Sequence, residues 1–233
     1  MNKSIQAILW KQSKDTLKNK AVLIQFILFP LMTIVMENAM NMQDMPAHFF
    51  VNLFGIMYVG MAPLTSIAAI IAEEKEKNTL CVLKMCNVRA AEYLIGNAIY
   101  IITICMIGSL VMGLAGGYTG MNLFRFMLLM FVGHICSFLL GATIGLVSKN
   151  QMTATSINVP VMMVLSFLPM LSMFNETIKK FSKFLFSEQL YLLVNHLEQI
   201  KMTWETGFIM MGNIILIVAA FFVIYKKQGY KRL

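Results

Sequence analysis

Charge is what this sequence has least of. Asp, Glu, Lys and Arg make up 13% of its 233 residues, where a soluble domain carries about 25%. Hydrophobic residues make up 58%, and the mean hydropathy is +0.72. That apolar excess is too large for one globular core, so a single soluble domain is excluded and a multi-span membrane protein is indicated. At about 20 residues per span, roughly six spans use up the chain. No length is left for a soluble catalytic domain, so any ATP-driven engine has to be another polypeptide.

Other absences narrow the chemistry. The 4 cysteines, Cys81, Cys86, Cys105 and Cys136, match no zinc spacing and read as buried, inert thiols. His48 and His196 fall in predicted outer segments, so no metal cluster is expected. There is no Gly-x-Ser-x-Gly elbow, and no second His or paired acid joins His134, Ser137 and Ser109 at depth. An intramembrane hydrolase is therefore disfavoured. A lone His134 in a span reads as a hydrogen-bond partner between helices. No repeated filter or ring of charges marks a channel. No basic groove interleaved with aromatics marks a nucleic-acid binder. The N-terminal patch is too short for a signal peptide, and no small-residue cleavage site follows it.

What is present is a succession of apolar runs. Residues 1–20 set Ile5, Ile8 and Leu9 against Lys3, Lys11, Lys14, Lys18 and Lys20. This predicts an amphipathic helix lying on the membrane surface. Spans are expected at about 21–40, 49–72, 93–115, 123–147, 152–173 and 205–225. Pro160 and Pro169 are expected to interrupt the fifth. Gly55, Gly60 and Ala62 permit close helix contact, and Gly141-xxx-Gly145 is a small-xxx-small face. Residues 174–204 mix polar and apolar groups at helical spacing without a run long enough to span, which predicts a short amphipathic or re-entrant hairpin at the outer face. The expected fold class is thus an all-α membrane protein: one transmembrane domain over 1–233, with an interfacial helix, six spans and that hairpin.

Most of the 19 Lys and Arg lie on alternate connections and at the two ends, whereas loops 41–48 and 116–122 hold none. By the positive-inside rule both termini are cytoplasmic, which an even number of spans allows. Four residues are candidates for a path through the membrane. Glu37 either reaches interfacial water or lines that path. His134 is a second. Met162 and Met163 belong to a group with Met170, Met173, Met127 and Met130, where adaptable thioethers either repack around varied apolar ligands or simply pack.

The longest polar interruption is Ala72–Gly96. It opens with Glu73, Glu74, Lys75, Glu76 and Lys77, where Glu73 and Lys77 can pair across one helical turn. It continues through Asn78, Thr79, Leu80, Val82, Leu83 and Met85. It ends on Ala91-Glu92-Tyr93-Leu94-Ile95-Gly96. Exposed apolar groups on a cytosolic helix need a partner or the bilayer surface. The stretch is either a docking helix or a solvated connector on the lipid.

This stretch resembles the signature after the second span of ABC transporter type-2 permeases: an acidic run, Thr-Leu, then a Glu-Tyr-Leu entry to the third span. Asn78 stands at the family's usual Gly and Asn97 at its usual Lys. The resemblance implies a dimeric transmembrane unit, of two copies or of a copy and a paralogue, driven by two cytosolic ABC ATPase subunits. Glu73, Glu74, Glu76, Thr79, Leu80, Leu83 and Glu92 would couple to the ATPase. ATP and Mg would sit on that subunit, with no cofactor on this chain. The layout looks like bacterial exporters of hydrophobic or amphipathic peptides, including bacteriocin export and immunity systems, with drug efflux close by. A non-transporting membrane scaffold and a permease for lipid-linked polysaccharide are the alternatives.

Overall fold

A computed structural model describes residues 3–39, 48–197 and 204–229. Those residues are helical almost throughout, with no strand among them. Six helices are long and apolar enough to cross a membrane.

Helix α1 (Lys3–Lys18) lies at one end of the bundle. The spans are α2 (Lys20–Ala39), α3 (Phe49–Glu76), α5 (Ala90–Ala115), α6 (Gly120–Val147), α7 (Gln151–Ser172) and α10 (Trp204–Ile224). Between α3 and α5 stands the short α4 (Thr79–Met85), and a π-helical turn, Tyr225–Gly229, follows α10. Connections alternate between two ends. One end gathers α1, α4 and the turn from α6 to α7, and the other carries the chain from α7 to α10. Residues 40–47 and 198–203 lie outside the described residues, as do Lys201, Lys231 and Arg232.

Helix α3 is the axis. In its apolar stretch 78% of residues are buried, against 11% in α10, so α10 leaves most of its surface uncovered by the other helices. Helices α6 and α7 pack on α3 because small residues let the backbones close in. A Cβ built on Gly141 would lie 2.3 Å from the Leu64 carbonyl oxygen, so only glycine fits there. Gly145 sits one turn on, against Ile71 and Ala68. Across the other face Gly60 meets the Leu165–Ser166 backbone, and the Ser166 hydroxyl donates to the Met57 carbonyl at 3.3 Å.

Two short helices, α8 (Glu176–Ser182) and α9 (Phe186–Asn195), form the hairpin before the last span. Asn175 starts α8 by accepting from the Thr177 and Ile178 amides at 2.8 and 3.3 Å. The hairpin is re-entrant. Leu190 reaches Gly133 and packs with Val59, which lies about 15 Å along α3 at about 1.5 Å per residue.

Three expectations need correcting. The charged run belongs to the second span's helix, expected to end near 72: α3 continues through Glu76 without a break. Helix α7 likewise runs unbroken past Pro160 and Pro169. Both prolines leave a carbonyl without its helical donor, yet neighbouring groups and the surrounding bundle hold the helix together. Finally, Cys105 and Cys136 are buried, whereas Cys81 and Cys86 are exposed on and just after α4.

Candidate functional site

The site is built on the last turn of α3. Successive helical residues are rotated by about 100°, so five in a row point all round the axis. Each member of the charged run therefore meets something different. Glu74, 5% exposed, forms an ion pair with Lys11 of α1, and Tyr93 of α5 lies beside it. Lys75 donates to the carbonyls of Gly145 and Ser148 at 3.0 and 3.1 Å, and to that of Leu146. These are orphan acceptors at the C-terminus of α6, where a cation is also favoured by the helix dipole. Glu76 accepts from the Gln151 amide at 3.0 Å and so covers an orphan donor at the N-terminus of α7. Glu73 pairs with Lys77 within the turn, and its carboxylate holds the Lys77 ammonium above its usual range. One turn of helix thus ties α3 to α1, α6 and α7.

Helix α1 is held along Ile8, Gln12 and Thr16, one buried residue per turn. Ile8 packs where Gly96 of α5 leaves room, since a Cβ there would lie 2.8 Å from it. On the opposite side Trp10 and Leu17 are exposed, with Lys14 lying 3.8 Å over the Trp10 ring. That two-sided pattern suits a helix at the lipid–water boundary. Between α1, the start of α2 and the end of α3 is a polar cleft of about 670 Å³, lined by Lys11, Lys18 and Lys77 against Asp15, Glu73 and Glu74.

Helix α4 follows from a backbone reversal at Asn78, whose φ of 55° lies in the left-handed region. Asparagine tolerates that conformation better than other non-glycine residues. Thr79 opens α4 and its hydroxyl donates to the Glu74 carbonyl at 3.2 Å. Leu80 turns inward and is buried, and Leu83 packs on the same core. Val82 and Met85 point away, 58% and 86% exposed. A second left-handed residue, Asn87, ends the segment, and the Arg89 amide donates to Glu92 at 3.3 Å to start α5. Of the seven coupling candidates, then, Glu74 and Leu80 are interior. Thr79, Glu76 and Glu92 bond to backbone groups. Glu73 and Leu83 remain partly exposed.

A family model described as an ABC-2 family transporter protein matches residues 1–226. The chain belongs to that family. No curated protein matches it. An ABC-2 permease is a multi-pass membrane subunit that associates with an ABC ATPase subunit, and members of the family are transport subunits rather than enzymes.

The candidate path residues of this permease are dispersed. Glu37 accepts from the Val51 amide at 3.0 Å, in the first turn of α3, and so caps that helix. Neither reading of Glu37 from sequence anticipated this. His134 is fully buried between α3 and α5, sharing a hydrogen bond of 2.9 Å with Ser109 and meeting the Tyr58 ring edge-on. Both groups are 0% exposed, and His134 Nδ1 has no partner to orient it as a base. Met162 is partly buried against the α3–α6–α9 core, while Met163 faces outward at 53% exposure. Asn97 is buried and donates to the Tyr93 carbonyl at 2.9 Å.

Two polar contacts escaped the sequence reading. Lys75 looked like one more charge in a run, and only a contact to carbonyls some seventy residues away reveals its role. Glu188 in α9 is 2% exposed, with both carboxylate oxygens 2.9 Å from the Ser172 hydroxyl. Its signal was an acid in a segment where Phe186, Leu190, Leu193 and Val194 recur at helical spacing.

Proposed function

We propose that the permease is the transmembrane half of an ATP-driven exporter, and that α4 with the last turn of α3 receives the motion of the ATPase. Two cytosolic ATPase copies would serve a pair of permease chains. ATP and Mg would be held by the ATPase. Both termini, α1 and α4 lie in the cytosol on this reading, in the membrane of a bacterial cell. The observation that carries it is the clamp at Glu74, Lys75 and Glu76. A push on α4 enters a turn bonded to α1, α6 and α7, so it reaches most of the bundle at once rather than one helix. Exposed Val82 and Met85 supply an apolar contact at the tip, the kind that anchors an interface core.

The cargo proposed is a hydrophobic or amphipathic molecule, either a bacteriocin-like peptide or a drug. The support is the Met-bearing faces of α6 and α7. The permease would then confer export, self-immunity or antimicrobial resistance.

The test is co-purification with the ATPase and its ATP hydrolysis in lipid. Replacing Val82 and Met85 together by Asp should weaken ATPase capture by tenfold or more, on the order of 1.4 kcal/mol or above. Thermal unfolding of the permease alone should not change, because both side chains are exposed. Undiminished capture would remove α4 from the interface. For the cargo, cells without the permease should become more sensitive to one class of peptide or drug.

A further inference from the structure

We propose that the groove between α5, α6 and α10 is a binding site for an anionic phospholipid, with an acyl chain in the groove and the phosphate on Lys226 and Lys227. The groove holds about 380 Å³. Leu94, Ala98 and Ile102 of α5 form one wall, Phe138 of α6 its floor, and Phe221 and Tyr225 the other wall. Its one polar side-chain group is the Tyr225 hydroxyl. From Ala91 to Ile102 the groove runs about 16 Å along α5 at about 1.5 Å per residue. A bilayer's hydrocarbon core is about 30 Å thick, so this is the depth of one leaflet. The length therefore suits one lipid tail entering from the near surface.

The mouth is basic. Tyr225 stacks on Phe221 with centroids 5.8 Å apart, and the chain then widens into the π-helical turn that carries Lys226 and Lys227. Both lysines are exposed, and neither is ion-paired among the described residues. Arg89, exposed at the start of α5, stands at the same end, with Glu92 as the neighbouring acid. Basic clusters beside apolar clefts at a span end are suited to phosphate headgroups. A second copy of the chain is a poorer occupant. A two-fold contact would place the same lysines of both copies near one another, and like charges repel.

The test uses the permease–ATPase complex, purified in detergent with equal amounts of phosphatidylglycerol and phosphatidylcholine, and native mass spectrometry of retained lipid. Phosphatidylglycerol should be retained over phosphatidylcholine. Lys226→Gln with Lys227→Gln should lower that preference by about fivefold per lysine. Ala98→Phe, which fills the groove, should lower retention of both lipids. The lysine pair is exposed, so its result stands even if Ala98→Phe impairs folding. Equal retention of the two lipids by the wild type, or a preference that survives the lysine substitutions, would overturn the proposal. So would disulfide-linked dimers formed through Phe222→Cys, which would put a second copy on this face.

Discussion

At the scale of single residues, the clamp rests on side chains whose partners are backbone groups. Lys75 is the sharpest case. It satisfies carbonyls that a helix end cannot satisfy itself. Lys75→Met keeps the stem and removes the donor. It should cost about 1–3 kcal/mol, read as a lowered midpoint of thermal unfolding in detergent. Gly141 makes a second prediction. Gly141→Ala sets a methyl against the Leu64 carbonyl, which is backbone and cannot swing aside, so the loss should again be about 1–3 kcal/mol. At Gly55 the obstacle is the terminal carbon of Met130, which can rotate, so Gly55→Ala should cost less in the same measurement. The small-xxx-small face was legible in the sequence because spacing along one helix is local information. The role of Lys75 was not, because its acceptors belong to another helix and only the tertiary fold brings them near.

At the scale of elements, the hairpin of α8 and α9 is the least ordinary part. Its polar and apolar mixture showed that it could not span. Nothing in that mixture showed that α9 would lie against α3 at the depth of Val59. Nor did it show that Glu188 would be enclosed with Ser172 as its donor. Glu188→Ala removes the acceptor that faces the Ser172 hydroxyl and should cost about 1–3 kcal/mol, read as a lowered midpoint of thermal unfolding in detergent. The prolines of α7 misled in the opposite sense. Pro160 and Pro169 are strong breakers in water, but within a membrane bundle the cost of leaving the helix exceeds that of one missing donor.

At the scale of the whole molecule, six spans followed from hydropathy because a bilayer punishes every unsatisfied backbone group, and length then counts the crossings. Orientation is the remaining global property, and it rests on charge asymmetry. The chain carries its own reporters for it. Cys81 and Cys86 are exposed at the end with α1 and α4, while Cys105 and Cys136 are buried in the spans. A membrane-impermeant maleimide reads exposed thiols alone, because a thiol in a packed interior neither ionises readily nor meets the reagent. With α4 in the cytosol, intact cells should show no labelling and inverted vesicles should label up to two thiols per chain, lost on Cys81→Ser with Cys86→Ser. Labelling of intact cells would reverse the topology and move the coupling face outside, where no ATP is available. The same thiols report on docking. They flank Val82 and Met85, so bound ATPase should slow their labelling in inverted vesicles. An unchanged rate, with the topology upheld, would keep the cytosolic assignment but place the ATPase contact on α1 or the cleft beneath it.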